Sequence, residues 1–216
     1  MTDLLRPDDI ETLFTRAEGN FLFARWGRPI APIVFGVDDA TVSVVKGALE
    51  AMSVLTQHPL AETDAELGSN LMVFFFREWD ELLEVSDLDK LVPDLNELVG
   101  RLKAQDAQQY RFFRFDEAGA IKAAFSFIRV TKVLAEMPAE SLALSEVVQT
   151  SLLWSQSAFA TRSPLARLPN GAHVLRPDIA AVLKAAYDKT LPDIDQDKSF
   201  ALRLCARASI VLADNT

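Results

Sequence analysis

Ser145-Glu146-Val147-Val148-Gln149 is the stretch on which the fold reading turns. It lies in a segment opened by Pro138 whose apolar residues recur at helical spacing, so a helix is expected from there to about Trp154. On that helix Ser145 and Gln149 stand one turn apart on one side, with Glu146 beside them. At this spacing two imidazoles can hold a zinc ion while the glutamate between them deprotonates a bound water. Here the glutamate is present and both imidazoles are absent. The segment has the layout of a metal-binding helix without its ligands.

The elements around it set the class. Just upstream, 109–115 and 120–130 read as a hairpin around Asp116-Glu117-Ala118-Gly119, with Tyr110 and Phe112 on one face and Arg111 and Phe113 on the other. Residues 70–79 are almost all apolar, as expected for a strand covered on both faces. A further strand spans 30–37; Pro32, which has no amide hydrogen, puts it at a sheet edge or at its own beginning. Asp8 or Asp9 is expected to cap a first helix through Ile10, Leu13, Phe14 and Ala17, ending at Gly19-Asn20. A second helix follows Asp38-Asp39 with Val42, Val45, Leu49, Met52 and Leu55 on one side, and His58-Pro59 ends it. The acidic region 80–103 reads as helical with breaks at Pro93 and Gly100. Beyond the Glu146 helix comes an irregular stretch punctuated by Pro164, Pro169 and Asn170-Gly171, then helices over 177–189 and 197–213. No repeat or linker divides the chain. The expectation is one α+β domain over 1–216, with an N-terminal helix and a four-stranded mixed sheet in 1–130. Helices pack on a face of that sheet, and the Glu146 helix and a helical C-terminal part fill 131–216.

The residues also support a resemblance. The hairpin end Asp116-Glu117-Ala118-Gly119-Ala120-Ile121, the helix Glu146-Val147-Val148-Gln149, Ser157, Ser163, and Pro177-Asp178 leading to Ala186-Tyr187-Asp188 together cover about half the chain. Their order resembles the core of zincin metallopeptidases, in which the helix after the hairpin carries the zinc motif. More closely, it is similar to a proteobacterial family of domains of unknown function with a metzincin-like layout. The resemblance implies a zincin-like fold. Against the metzincin pattern His-Glu-x-x-His-x-x-Gly-x-x-His, the three ligand positions fall on Ser145, Gln149 and Ser155 and the glycine on Leu152. The family already has an acidic residue and Gln at the first positions, with Gly and Asn-Asp later. Leu152, Ser155 and Gln156 depart from it further. The resemblance thus implies a degenerate site, a pseudoenzyme rather than a protease.

Little else could rebuild a metal site. Only His58 and His173 exist; His58 reads as a helix-end residue, and His173 follows Asn170-Gly171-Ala172 in a loop from which it can reach the cleft. One imidazole is a poor anchor for zinc. Asp193-Ile194-Asp195-Gln196-Asp197 has alternating acids but neither the turn glycine nor the closing glutamate of a calcium loop, and reads as a solvated linker with a helix cap. No metal and no cofactor is expected. A phosphate-cradling glycine loop and a Gly-x-Ser-x-Gly elbow are both missing. Cys205 falls on the apolar side of the last helix and reads as a structural thiol.

Thirty-one acids against twenty-two bases give a net charge of −9, which argues against a nucleic-acid partner. The purest apolar run, 71–76, is strand-sized, so no membrane span is expected. The start, Met1 to Asp9, lacks the basic segment and apolar run of a secretory leader, and a cytoplasmic location is the expectation.

Two readings of Glu146 stand. An isolated glutamate facing a cleft can serve as a general base; alternatively it bonds to a strand or cap and is structural. The candidate site is therefore Glu146 as the catalytic group, with Gln149, Ser145, Ser155 and His173 lining the cleft. The leading expectation is a non-catalytic zincin-like domain that binds a protein or peptide partner through the cleft and a sheet edge. The rival is a peptidase-like hydrolase using Glu146 without an orthodox metal site, and a homo-oligomeric structural subunit is a third possibility.

Overall fold

Pro7 at the first helical position fixes where the chain begins to coil, and helix α1 spans Pro7–Phe14. A computed structural model describes residues 6–214; Met1–Leu5, where the leader reading begins, lie outside them. Asp9 acts from within α1 rather than as its cap: its carboxylate accepts the Arg6 amide at 3.1 Å. The helix stops at Phe14 and does not reach Gly19, because the chain turns back and Leu22 donates its amide to the Phe14 carbonyl at 3.0 Å. Next come β1 (Phe23–Ala24), β2 (Pro32–Phe35) and α2 (Asp39–Thr56), the last capped by the Asp38 carboxylate on the Thr41 amide at 2.8 Å. Strand β3 (Leu71–Phe76) leads through a 3₁₀ turn (Trp79–Glu84) to α3 (Leu88–Leu91) and α4 (Leu95–Ala104). The hairpin follows as β4 (Gln109–Phe115) and β5 (Ile121–Arg129), and then α5 (Lys132–Ala135) and α6 (Ala139–Ser151). The chain closes with β6 (Leu165–Arg167), β7 (His173–Leu175), α7 (Pro177–Ala186), β8 (Ile194–Asp195) and α8 (Phe200–Asp214).

Four strands make one mixed sheet in the order β2-β3-β5-β4. The β2–β3 and β3–β5 pairs are parallel and β4–β5 is antiparallel. Strand β2 is an edge, as Pro32 requires. The fold is α+β with a four-stranded mixed sheet. Helices cover both faces rather than one, because β3 and β5 are apolar at odd and even positions alike. Leu71, Val73 and Phe75 point into a core shared with α2, α6 and α7. Phe74, Phe76, Phe125 and Phe127 point into a second core with Trp79 and the apolar side of α4. Burying one such ring contributes about 2–3 kcal/mol, which is why two thin helical layers can hold the sheet. Trp26 joins sheet and helix in the first core, its indole N–H donating to the Thr150 carbonyl at 2.9 Å. Among the described residues no helix is long and apolar enough to cross a membrane.

The irregular stretch before α7 contains a small hairpin, β6 on β7, that three-residue strands are too short to announce by periodicity. Its signal was Asn170-Gly171: Gly171 adopts φ 88°, and the Asn170 side chain accepts the Ala172 amide at 3.0 Å.

His58 is part of this packing. Its Nε2 lies 2.8 Å from the Arg28 carbonyl, so that nitrogen carries the proton, and its ring sits 4.9 Å from that of Tyr187. Burial pushes its pKa below the ordinary value, opposed by the Arg28 carbonyl; nearby Arg25 lowers it further and Asp193 raises it. The folded state therefore favours neutral His58. Its contribution to stability is full above the unfolded histidine pKa of about 6.5 and is lost as the pH falls through the folded value. Between pH 7.5 and 5, urea midpoints should fall in the native protein and fall less in His58→Gln. Equal slopes for the two proteins would show that His58 is not the responsible group.

Candidate functional site

Glu146 lies on the side of α6 that faces the sheet, between the buried residues Ala143 and Val147, and is itself buried. A carboxylate there needs donors, since an uncompensated buried charge is costly. The sheet supplies them from two neighbouring strands. Arg111 on β4 and Ser126 on β5 are cross-strand partners and point the same way. Arg111 grips the carboxylate with two parallel bonds, Nε to Oε1 at 2.6 Å and Nη2 to Oε2 at 2.5 Å. The Ser126 hydroxyl donates to Oε1 at 2.6 Å. Arg111 Nη2 also donates to the Gln109 side-chain carbonyl at 3.0 Å. One network thus ties α6 to the two strands below it.

Around that network lies a groove of about 810 Å³ along the outer edge of β4. Gln109, Arg111 and Phe113 form one wall. Gln149 at the end of α6, and Leu153, Trp154 and Phe159 in the turn after it, form the other. That turn is held from below: Arg16 donates to the Leu153 carbonyl at 3.0 Å and the Trp154 carbonyl at 2.7 Å, and burial draws its guanidinium pKa below the ordinary value, opposed by Glu18. Trp154 stacks on Phe14 and meets Phe159 edge-on.

The ladder phase decides which way the β4 main chain faces. Arg129 donates its amide to the Gln108 carbonyl at 2.8 Å, and bonded pairs alternate along an antiparallel ladder. Tyr110 and Phe112 therefore bond to β5, whereas the amides and carbonyls of Gln109, Arg111 and Phe113 face outward, into the groove. This edge strand presents its polar main chain beside an apolar wall.

The five candidate residues divide. Gln149 and Ser155 line the groove together. Ser155 is buried and fastens the turn to α1, its amide donating to the Leu13 carbonyl at 2.7 Å and its hydroxyl to the Thr12 carbonyl at 3.2 Å. Ser145 accepts a bond from the Gln149 amide nitrogen at 3.1 Å and is not in the groove wall. Glu146 lies beneath, joined to the groove through Arg111. His173 is elsewhere: it sits on β7, with Nδ1 2.8 Å from the Ser141 hydroxyl at the opposite end of α6. The helix thus separates His173 from Gln149 and Ser155, although its loop position was expected to let it reach the same cleft. Among the described residues no group of three or more His, Cys, Asp and Glu side chains is placed to hold a metal ion.

Arg111 and Ser126 were missed as site residues, although Arg111 had left a trace. It shares a strand face with Phe113 in a hairpin with aromatics on both sides, and a cation in that position calls for a buried acid. A larger depression, about 1210 Å³, opens where β3 and β5 end. Its lining carries charges of both signs, with Arg129 on Asp106 at 2.5 Å and Glu81 accepting the Arg77 and Glu78 amides. Compared with protein-family models, curated proteins and solved structures, the chain has no match.

Proposed function

We propose that this chain is a non-catalytic, zincin-like domain that binds an extended segment of a protein or peptide partner by strand addition along β4. The observation that carries the reading is the groove itself, in which the outward main chain of Gln109, Arg111 and Phe113 stands opposite the Trp154 wall. An incoming strand would continue the sheet through main-chain hydrogen bonds and seat alternate side chains against that wall. The zincin-like layout is supported by α6, which follows the hairpin and lies beside this edge, as the resemblance implies for an active-site helix. A structural role for Glu146, rather than base catalysis, is supported by the three donors that hold its two oxygens.

Phe113→Pro tests the reading. Proline there removes an outward amide and leaves the β5 ladder intact, since the Phe113 amide does not bond to β5. For a decapeptide selected from a random display library on the native chain, Phe113→Pro should weaken binding by about tenfold or more, one lost main-chain bond plus steric exclusion of the strand. Phe113→Leu, which keeps the amide, should lose much less. Native-like affinity in a folded Phe113→Pro protein would refute strand addition.

A further inference from the structure

We infer that the β4 groove takes an acidic extended segment, in which carboxylate side chains alternate with apolar anchors; this rests on the strand-addition reading above. The chain as a whole carries 31 Asp and Glu against 22 Lys and Arg. The groove reverses that balance: its lining includes Arg16, Arg101 and Arg111 and no Asp or Glu. Arg111 is matched by Glu146 below it. The other two are not matched in this way. Arg16 spends its donors on two neutral carbonyls, and Arg101, exposed on α4, forms no ion pair among the described residues. The remaining polar lining is mostly glutamine, which neither repels nor neutralises a carboxylate.

A surface this acidic elsewhere and free of acids here is complementary to negative charge at short range. In an extended strand successive side chains project to opposite sides. One set can therefore lie on Phe113, Trp154 and Phe159, on the side where Arg16 holds the turn, while the other projects toward α4 and meets Arg101. Arginines beside aromatics also suit single-stranded nucleic acid, which stacks its bases and needs its phosphates neutralised. A strand edge with unbonded amides and carbonyls matches a peptide main chain instead, and only two unmatched cations face the groove, too few to track a polyanion. A second copy of this chain, paired β4 to β4, would bring like charges together, since both copies present the same arginines.

The experiment uses the full chain and fluorescein-labelled nonapeptides that alternate valine and phenylalanine with either glutamate or lysine, read by anisotropy. The glutamate peptide should bind at least tenfold more tightly than the lysine peptide. Raising salt from 50 to 500 mM should erode the preference, and Arg101→Glu should abolish it while Arg101→Lys retains it. If the two peptides bind alike, the acidic inference falls and strand addition stands, as read by Phe113→Pro on the same peptides. Failure of both peptides also overturns the inference; strand addition falls with it only if no display-selected peptide binds. Displacement of the glutamate peptide by an oligothymidylate at lower concentration would reassign the groove to nucleic acid. A dimer at assay concentration that Phe113→Pro dissolves would reassign it to self-association.

Discussion

Glu146→Gln is expected to destabilise the fold by about 3 kcal/mol, the lower end of the range for removing one partner of a buried ion pair. The lower end applies because the Arg111 side chain keeps 17% of its exposure on the groove side and can recruit some water once it loses the carboxylate. Glutamine preserves the shape but supplies one acceptor oxygen where three donors converge, Arg111 Nε and Nη2 and the Ser126 hydroxyl. Its amide group then points donors at donors. For a chain of this length the melting temperature should drop by roughly 10 °C. The double change Glu146→Leu with Arg111→Met removes both charges at once. It should recover most of the loss, because a paired removal avoids the desolvated, unmatched charge that makes the single change costly. Urea unfolding of the three proteins checks this, and the non-additivity of the pair is the quantity to read. A loss below about 1 kcal/mol for Glu146→Gln would mean that the carboxylate contributes nothing that the amide cannot. The same variant separates the two readings of Glu146. A general base loses activity while the fold keeps its stability, whereas a buried tie between helix and sheet loses stability whatever the activity.

Much of the sheet could be read in advance, because its strands carry local signals. The apolar run of β3 and the turn residues Asp116 to Gly119 mark a buried strand and a hairpin without any knowledge of partners. Pro32 likewise put β2 at an edge. What could not be read depends on pairing across distance. Glu146 and Arg111 are 35 residues apart, and only their meeting across the α6–sheet interface makes either intelligible. The same holds for the groove. No residue of β4 marks which of its amides face outward; that phase comes from the Arg129–Gln108 bond at the far end of the ladder. The loop reading of His173 differs from the structure in one respect. It put His173 within reach of the cleft with Gln149 and Ser155, but His173 lands on β7, a strand of three residues whose position no periodicity could fix. Glu146 thus stands on a helix beside the edge strand, its carboxylate bonded to Arg111 and Ser126 of the sheet.

Gly36→Ala is the second large effect, and its cause lies in the central strand rather than in the helix. Gly36 ends β2 at φ 80°, a left-handed conformation that costs an alanine roughly 1–2 kcal/mol. Space is the larger problem. A Cβ built on Gly36 would lie 1.8 Å from the Phe75 carbonyl oxygen and 2.9 Å from its carbonyl carbon. Both atoms belong to the main chain of β3, which is pinned by β2 on one side and β5 on the other and cannot swing aside as a side-chain tip can. Either β2 must separate from β3 at its end or the turn into α2 must be rebuilt, so the total loss should exceed about 3 kcal/mol, in the range reserved for strain at a special backbone position. Gly47→Ala is the matched control. Gly47 sits on an exposed face of α2 with nothing within 4 Å of its added Cβ, and in a helix interior alanine should be better by about 1 kcal/mol. Opposite signs for the same chemical change, measured by urea unfolding, are the expected result. A Gly36→Ala protein within about 1 kcal/mol of native would show that β2 and β3 are not packed this closely at Phe75. Because β2 and β4 are opposite edges of the sheet, the folded fraction of Gly36→Ala should keep its peptide affinity. Loss of binding in that fraction would mean that the β4 groove depends on the whole sheet and not on its own edge.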